Sequence, residues 1–295
     1  MSFKEDLQSI LKDDFSEAWS SFFKPKNAGF FISALGLKQK ERIFAELKGL
    51  DLDEILPNFY IAHSSQKPLL SASKAFNEGL IYLQNPSSYL SALNLQASLD
   101  DEICDMCAAP GGKSIATHAL IAASNGLGEA LKNTHIACIE AHKARFFTLK
   151  NNLTKYGLQN AKTYNKDARS IAYSCKERFW RIILDAPCSS YSHYNADFIE
   201  KSSKEIKALS KLQKGLLNAA LSALKIGGEM IYSTCTFYRA ENEEVIINAL
   251  NSNFKIELLE LDFLPSNARR GEYGALILPD DTYSGFFISR IKKLG

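Results

Sequence analysis

Two cysteines stand where a thiolate would be useful. Cys188 lies in LDAPCSS (184–190), directly after the apolar run RIIL, and Cys235 lies in YSTCT (232–236), directly after GEMIY. A thiolate is a strong nucleophile, and it forms where positive charge or a helix terminus lowers the thiol pKa. The alternative for any single cysteine is a small buried hydrophobe. Cys104, Cys138 and Cys175 are read that way. The spacing Cys104-x-x-Cys107 has no second CxxC or CxxH to complete a zinc set, and the five histidines are scattered, so no metal is expected.

A second feature is the run EICDM into CAAPGGKS (107–114). Cys107, Ala108, Ala109, Pro110, Gly111, Gly112 and Lys113 form a turn of mostly small residues between a strand and a helix beginning near Ser114. Such a turn lets backbone N–H groups approach a ligand, and the helix N-terminus favours negative charge. A plain structural turn remains the other reading. The run is neither G-x-x-x-x-G-K nor G-x-G-x-x-G. Acids then follow three successive strand-like runs: Glu140 after HIACI, Asp167 after TYNK and Asp185 after RIIL. Each alone reads equally as a helix cap or a solvated loop residue. In this order at one sheet edge, Glu140 suits ribose hydroxyls and Asp167 an adenine amino group. The set fits an adenosine-bearing ligand without a polyphosphate, and S-adenosylmethionine is the candidate.

Placing these groups together requires a sheet. Strands are expected at 102–106, 135–139, 161–165, 181–185 and 228–232, mostly separated by helix-length segments. That alternation predicts an α/β fold with a doubly wound, mostly parallel sheet. ALILP and GFFISRI, flanking DDTYS, predict a closing C-terminal antiparallel hairpin. A helix is expected near 86–97. Ahead of it, GFFISAL, KQKERIFAELKG and NFYIAH read as a small strand–helix–strand unit. The first 20 residues read as one amphipathic helix, with Ser2 and Glu5 spaced as a capping box. The expected division is a small α/β unit over 1–70 and a catalytic domain over 71–295.

Composition bounds the remaining choices. At 46% hydrophobic and 23% charged, the chain is that of a packed globular protein. No apolar run reaches the ~18 residues a membrane span needs, and MSFKEDLQ carries acids where a signal peptide carries bases. A cytoplasmic monomer with reduced thiols and no membrane partner is expected. The net charge of +2 conceals a basic block: residues 142–225 hold 16 Lys and Arg against 6 Asp and Glu. Lys201, Lys204, Lys207, Lys211 and Lys214 recur at helical spacing, opposite Ile206, Leu209, Leu212 and Leu216. The stripe is either a surface for a polyanion or a solvated helix face.

Four segments taken together resemble the Sun-type (nucleolar protein/Sun) family of RNA cytosine-5 methyltransferases: EGLIYLQNPSSYLSAL (78–93), DMCAAPGGKS (105–114), LDAPCSS (184–190) and YSTCTFYRAENEEVI (232–246). The closing SGFFISRIKK is also similar, so the likeness runs from about residue 70 to the end. It implies the class I S-adenosylmethionine-dependent methyltransferase fold and an RNA substrate, ribosomal RNA ahead of transfer RNA. It also implies residue roles. Cys235 would add to carbon 6 of cytosine, Cys188 would assist product release, and Asp185 would steady ring nitrogen 3 and border the cofactor. DNA cytosine-5 methyltransferases attack instead with the cysteine after the fourth strand, in a P-C-Q context that Cys188 lacks. A catalytically silent RNA-binding protein would be expected to lose these residues. One departure stands out: the family continues D-A-P-C-S-G, whereas this chain has Ser190 and Tyr191. Losing that glycine removes positive-φ freedom. A reshaped loop with Tyr191 or Tyr194 stacked on a base, or weak or altered turnover, is the expected consequence.

Overall fold

The computed structural model describes residues 3–295. Two helices open the chain, α1 (Phe3–Leu11) and α2 (Phe15–Ser21), with a tighter turn at 12–14 between them. The single long helix expected there is broken at Lys12, whose φ of +52° cannot continue an α-helix. Ser2, its expected cap, lies outside the described residues. The first sheet is four-stranded and antiparallel, in the order β2-β3-β1-β4. Its strands are β1 (Ala28–Ile32), β2 (Asp53–Leu56), β3 (Phe59–Ala62) and β4 (Ile81–Leu83). α3 (Lys40–Glu46) joins β1 to β2, while α4 (Lys67–Ala72) and α5 (Lys74–Asn77) join β3 to β4. This small sheet is therefore completed by residues beyond position 70.

The second sheet carries the chemistry-bearing segments. After α6 (Pro86–Leu95) come β5 (Glu102–Asp105), α7 (Gly112–Asn125), α8 (Leu127–Asn133), β6 (His135–Ile139), α9 (Lys143–Lys155) and β7 (Lys162–Tyr164). The chain then crosses through α10 (Ile171–Ser174) to β8 (Phe179–Asp185), α11 (Ser203–Ala223), β9 (Leu224–Thr234) and α12 (Glu243–Leu250). Four strands finish it: β10 (Ile256–Leu259), β11 (Ala268–Gly271), β12 (Gly274–Ile277) and β13 (Phe286–Lys293). The order is β11-β12-β13-β9-β8-β5-β6-β7, with β10 also pairing β13. β5 to β9 are parallel, and the tail pairs are antiparallel. The expected strands and the closing hairpin are all present.

Central strands of this sheet are apolar on both sides because both sides are covered. In β8, Ile183 joins a core with α6, α7 and α9, while Ile182 and Leu184 join one with α11 and α12. From β5 the chain winds outward through β6 and β7, then returns to the other side of β5 as β8. That reversal opens a crevice at the C-terminal ends of β5 and β8. Helix α11 starts on a capping box in which Ser202 Oγ accepts from the Glu205 N–H and Glu205 accepts from the Ser202 N–H. Its inner face buries Ser210, Gln213, Leu216 and Leu217, and Lys204, Lys207 and Lys211 face solvent.

Candidate active site

The glycine turn is built around a buried acid. β5 ends at Asp105, one of whose oxygens accepts from Ser114 Oγ at 2.7 Å, while Oδ1 is buried without a partner. The backbone then turns on Gly111, at φ +109°, which admits glycine at little cost. A Cβ on Gly112 would lie 2.6 Å from Gln84 Nε2 and 3.2 Å from the Tyr82 ring. Any side chain there would fill the space the turn leaves open. From outside, Arg145 and Asn152 of α9 donate to the carbonyls of Ala109 and Pro110, at 2.6 and 2.8 Å. A cavity of about 300 Å³ lies above the turn, lined by Gln84, Asp105, Cys107, Lys113, Asp185 and Cys235 among others.

The four acids divide between two environments. Asp185 lies in the cavity wall, where it accepts from Lys113 Nζ at 2.7 Å and from Ser233 Oγ at 2.9 Å. Lys113 also donates to Ser88 Oγ at 2.7 Å, so this turn lysine ties the glycine turn to α6 and to the end of β8. Glu140 and Asp167 stand after β6 and β7 and are held locally. Glu140 accepts from the His142 N–H at 2.8 Å, and Asp167 accepts from the Arg169 N–H at 2.9 Å. The Arg169 side chain holds the Asp167 carboxyl below its ordinary range. Asp105 is the acid that spacing alone did not single out, since its partner Ser114 is set by packing.

The two cysteines meet across the strand ends. β8 and β9 run parallel with Asp185 opposite Ser233, so the segments that follow lie side by side. Cys188 Sγ and Cys235 Sγ are 3.2 Å apart, and the Cys235 N–H points to Cys188 Sγ at 3.4 Å. The Cys188 thiol is pushed up by its contact with Cys235 and by burial. Cys235 is held well below the ordinary thiol range, by Cys188 first and by His193 as well, against the cost of burial. The surroundings thus favour the thiolate at Cys235 over Cys188. Cys104 and Cys138 fit the reading as buried hydrophobes, with burial raising both, whereas Cys175 is only partly buried.

Glu241 and Asn242 clamp both segments. Glu241 accepts from the Ser189 N–H at 2.9 Å, from Ser189 Oγ at 2.5 Å and from Gln213 Nε2 at 3.0 Å. Asn242 accepts from Thr234 Oγ1 at 2.5 Å and donates to the Thr236 carbonyl at 3.0 Å. Neither role was visible in the ENE spacing, because the partners come from the loop after β8, from the end of β9 and the residues after it, and from α11. The serine departure is resolved in an unexpected way. Ser190 takes φ +62°, so the turn keeps the left-handed backbone a glycine would favour, at a cost of about 1–2 kcal/mol. Tyr191 does not face a base. It is fully buried against Phe3, Phe198 and Tyr238, and Tyr194 packs on Phe3 and Trp19.

Burial, the dominant effect, lifts the Asp105 carboxyl to about 6 from an ordinary 3.8. The native state then keeps a proton that the unfolded chain releases. Its contribution is present below about pH 4 and is lost as pH rises through 6. Relative to Asp105→Asn, the wild-type protein should lose up to about 3 kcal/mol of unfolding free energy between pH 4 and pH 7. Urea midpoints at the two pH values check this, and parallel profiles for the two proteins would contradict it.

Residues 92–292 match the family model described as 16S rRNA methyltransferase RsmB/F. The tRNA (cytosine(72)-C(5))-methyltransferase of Pyrococcus horikoshii is 30% identical over 248 residues, 84% of this chain and 59% of that protein. Ribosomal RNA small subunit methyltransferase F of Vibrio campbellii is 30% identical over 312 residues, 99% of this chain and 63% of that protein. The chain thus spans less than two thirds of either curated relative. A solved methyltransferase homolog protein from Pyrococcus horikoshii superimposes with a TM-score of 0.81 at 27% identity, covering 99% of this chain and 94% of that one.

Proposed function

Since the chain belongs to the 16S rRNA methyltransferase RsmB/F family, we propose that it is an RNA cytosine-5 methyltransferase that uses S-adenosylmethionine and attacks through Cys235. One observation carries this reading: the Cys188 and Cys235 sulfurs lie 3.2 Å apart, with Cys235 in the wall of a switch-point cavity. Carbon 5 of cytosine is a poor nucleophile until a thiolate adds at carbon 6 and converts the ring to an enamine. Cys235 makes that addition. The base must leave its stack to reach the thiolate. Asp185, oriented by Lys113 and Ser233, holds ring nitrogen 3. Once carbon 5 carries the methyl group and a base has taken its proton, the bond to Cys235 breaks. Cys188, held as a thiol, donates to the departing sulfur.

The cofactor side of the cavity fits an adenosyl ligand on two counts. Asp105 Oδ1 is buried and free to accept, and the Gly111–Gly112 turn leaves room that a side chain would fill. Residues 107–113, with Glu140, Asp167 and Asp185, would hold S-adenosylmethionine. When bound, it supplies an electrophilic methyl group. Small-subunit ribosomal RNA is the proposed substrate. The name of the Pyrococcus relative keeps transfer RNA as the second reading. Residues 1–70 are proposed to share in RNA binding, because α1 and α2 pack on the loop that follows Cys188. Bisulfite sequencing of total RNA from cells with and without the gene should reveal a cytosine in ribosomal RNA that loses protection. A lost site in transfer RNA alone would favour the second reading.

The division of labour between the thiols has its own signature. Cys235→Ala should abolish methyl transfer and form no covalent complex with RNA. Cys188→Ala should attack but fail to release, leaving a denaturant-resistant protein–RNA band on a gel. The reverse pattern would make Cys188 the nucleophile, and no adduct in any variant would favour a silent RNA-binding protein.

Exposed lysines on α11 provide a second test. Gln213 on its inner face donates to the Pro187 carbonyl at 2.8 Å, so the helix is fastened to the Cys188 loop. Replacing Lys204, Lys207 and Lys211 by Gln should weaken RNA binding and flatten its salt dependence by roughly one unit of slope per lost phosphate contact. An unchanged slope would mean that the stripe is only a solvated face.

A further inference from the structure

Cys235 needs a proton acceptor, and a second thiol is a poor one. The Cys188 thiol is pushed up and holds its own proton, so the Cys235 proton must pass elsewhere. The groups facing Cys235 are few. Asp185 works against a neighbouring negative charge, and Lys113 is committed to Asp185 and Ser88. Glu241 is buried and taken up by Ser189 and Gln213. His193 remains. It lines the same cavity as Cys235, near enough that each shifts the other's proton affinity: His193 lowers the Cys235 thiol and Cys235 raises the His193 imidazole.

Its placement is built in. The turn Tyr191–His193 is anchored by the buried Tyr191 ring, whose centroid lies 4.3 Å from that of Phe3. The Ser192 N–H donates to the Cys235 carbonyl at 3.1 Å, and the His193 N–H donates to the Ser190 carbonyl at 3.0 Å. The left-handed Ser190 directs the chain into this turn. The serine–tyrosine departure thus delivers an imidazole to the nucleophile.

Resting on the assignment of Cys235 as nucleophile, we infer that His193 is the base that takes the Cys235 proton and, as imidazolium, holds the thiolate ready for attack. The proton passes from Sγ to a ring nitrogen, and the sulfur electron pair forms the bond to carbon 6. When that bond later breaks, the pair returns to sulfur beside the imidazolium. No oxidant or further reactant is required. The pair also reads in the other direction, since a thiolate neighbour raises the His193 pKa.

Iodoacetamide labelling of Cys235, followed by peptide mass spectrometry from pH 5 to 9 without RNA or cofactor, tests this on the whole chain. Wild type should reach half its maximal rate well below the ~8.5 of a free cysteine. His193→Gln should raise that midpoint by at least one pH unit. An unchanged midpoint overturns the inference while leaving the adduct test of Cys235 untouched. NMR titration of the His193 ring supplies a second measurement without altering His193. Its midpoint should fall in Cys235→Ser, and equal midpoints in that variant and wild type would likewise overturn the pair.

Discussion

The parallel pairing of β8 with β9 is the constraint on which the site depends. Its register sets Asp185 opposite Ser233, and the residues that follow each strand are then neighbours whatever their separation in sequence. Slippage by one residue would exchange the faces of a strand whose two sides are both packed, and both cores oppose it. Asp185 turns that register into a local bond by accepting from Ser233, while Lys113 ties the same carboxylate to the glycine turn. The strand leading to Cys235, Asp185 and the glycine turn are thus coupled through one side chain.

Precision beyond the strand ends comes from buried polar groups with more than one partner. Glu241 gathers donors from the Cys188 loop and from α11, and Asn242 bridges the two sides of Cys235. Such groups are costly unless satisfied, and when satisfied they specify a single arrangement. The aromatic cluster under the loop works in the same sense. Phe3 and Phe22 from the first helices close over Tyr191 and Phe237, so the N-terminal segment fixes a loop of the catalytic domain. That packing offsets the backbone cost at Ser190.

Much of this was legible in the sequence, for reasons that can be named. Buried parallel strands require short continuous apolar runs, so HIACI, RIIL and GEMIY announced themselves, and the residues after them had to share one edge. Gly111 was legible because a left-handed turn before a helix favours glycine. Other features depended on long-range contacts. Asp105 acquires its raised pKa only through burial, and Glu241 finds its partners on the Cys188 loop and on α11. Tyr191 was expected to meet a base because its partner Phe3 stands far away in the chain. Glu140 and Asp167 show the limit of spacing: each reaches the expected edge, yet each also caps its own following turn.

The account rests on Cys235, not Cys188, forming the bond to the base. An RNA carrying 5-fluorocytosine at the target position stalls the reaction after methyl transfer, because fluorine cannot leave as a proton. Nuclease and protease digestion of the trapped wild-type complex, followed by tandem mass spectrometry, would locate the modified residue. The account predicts a methylated fluorocytosine on the peptide containing Cys235, with Cys188 unmodified. The same mass on Cys188 would contradict it.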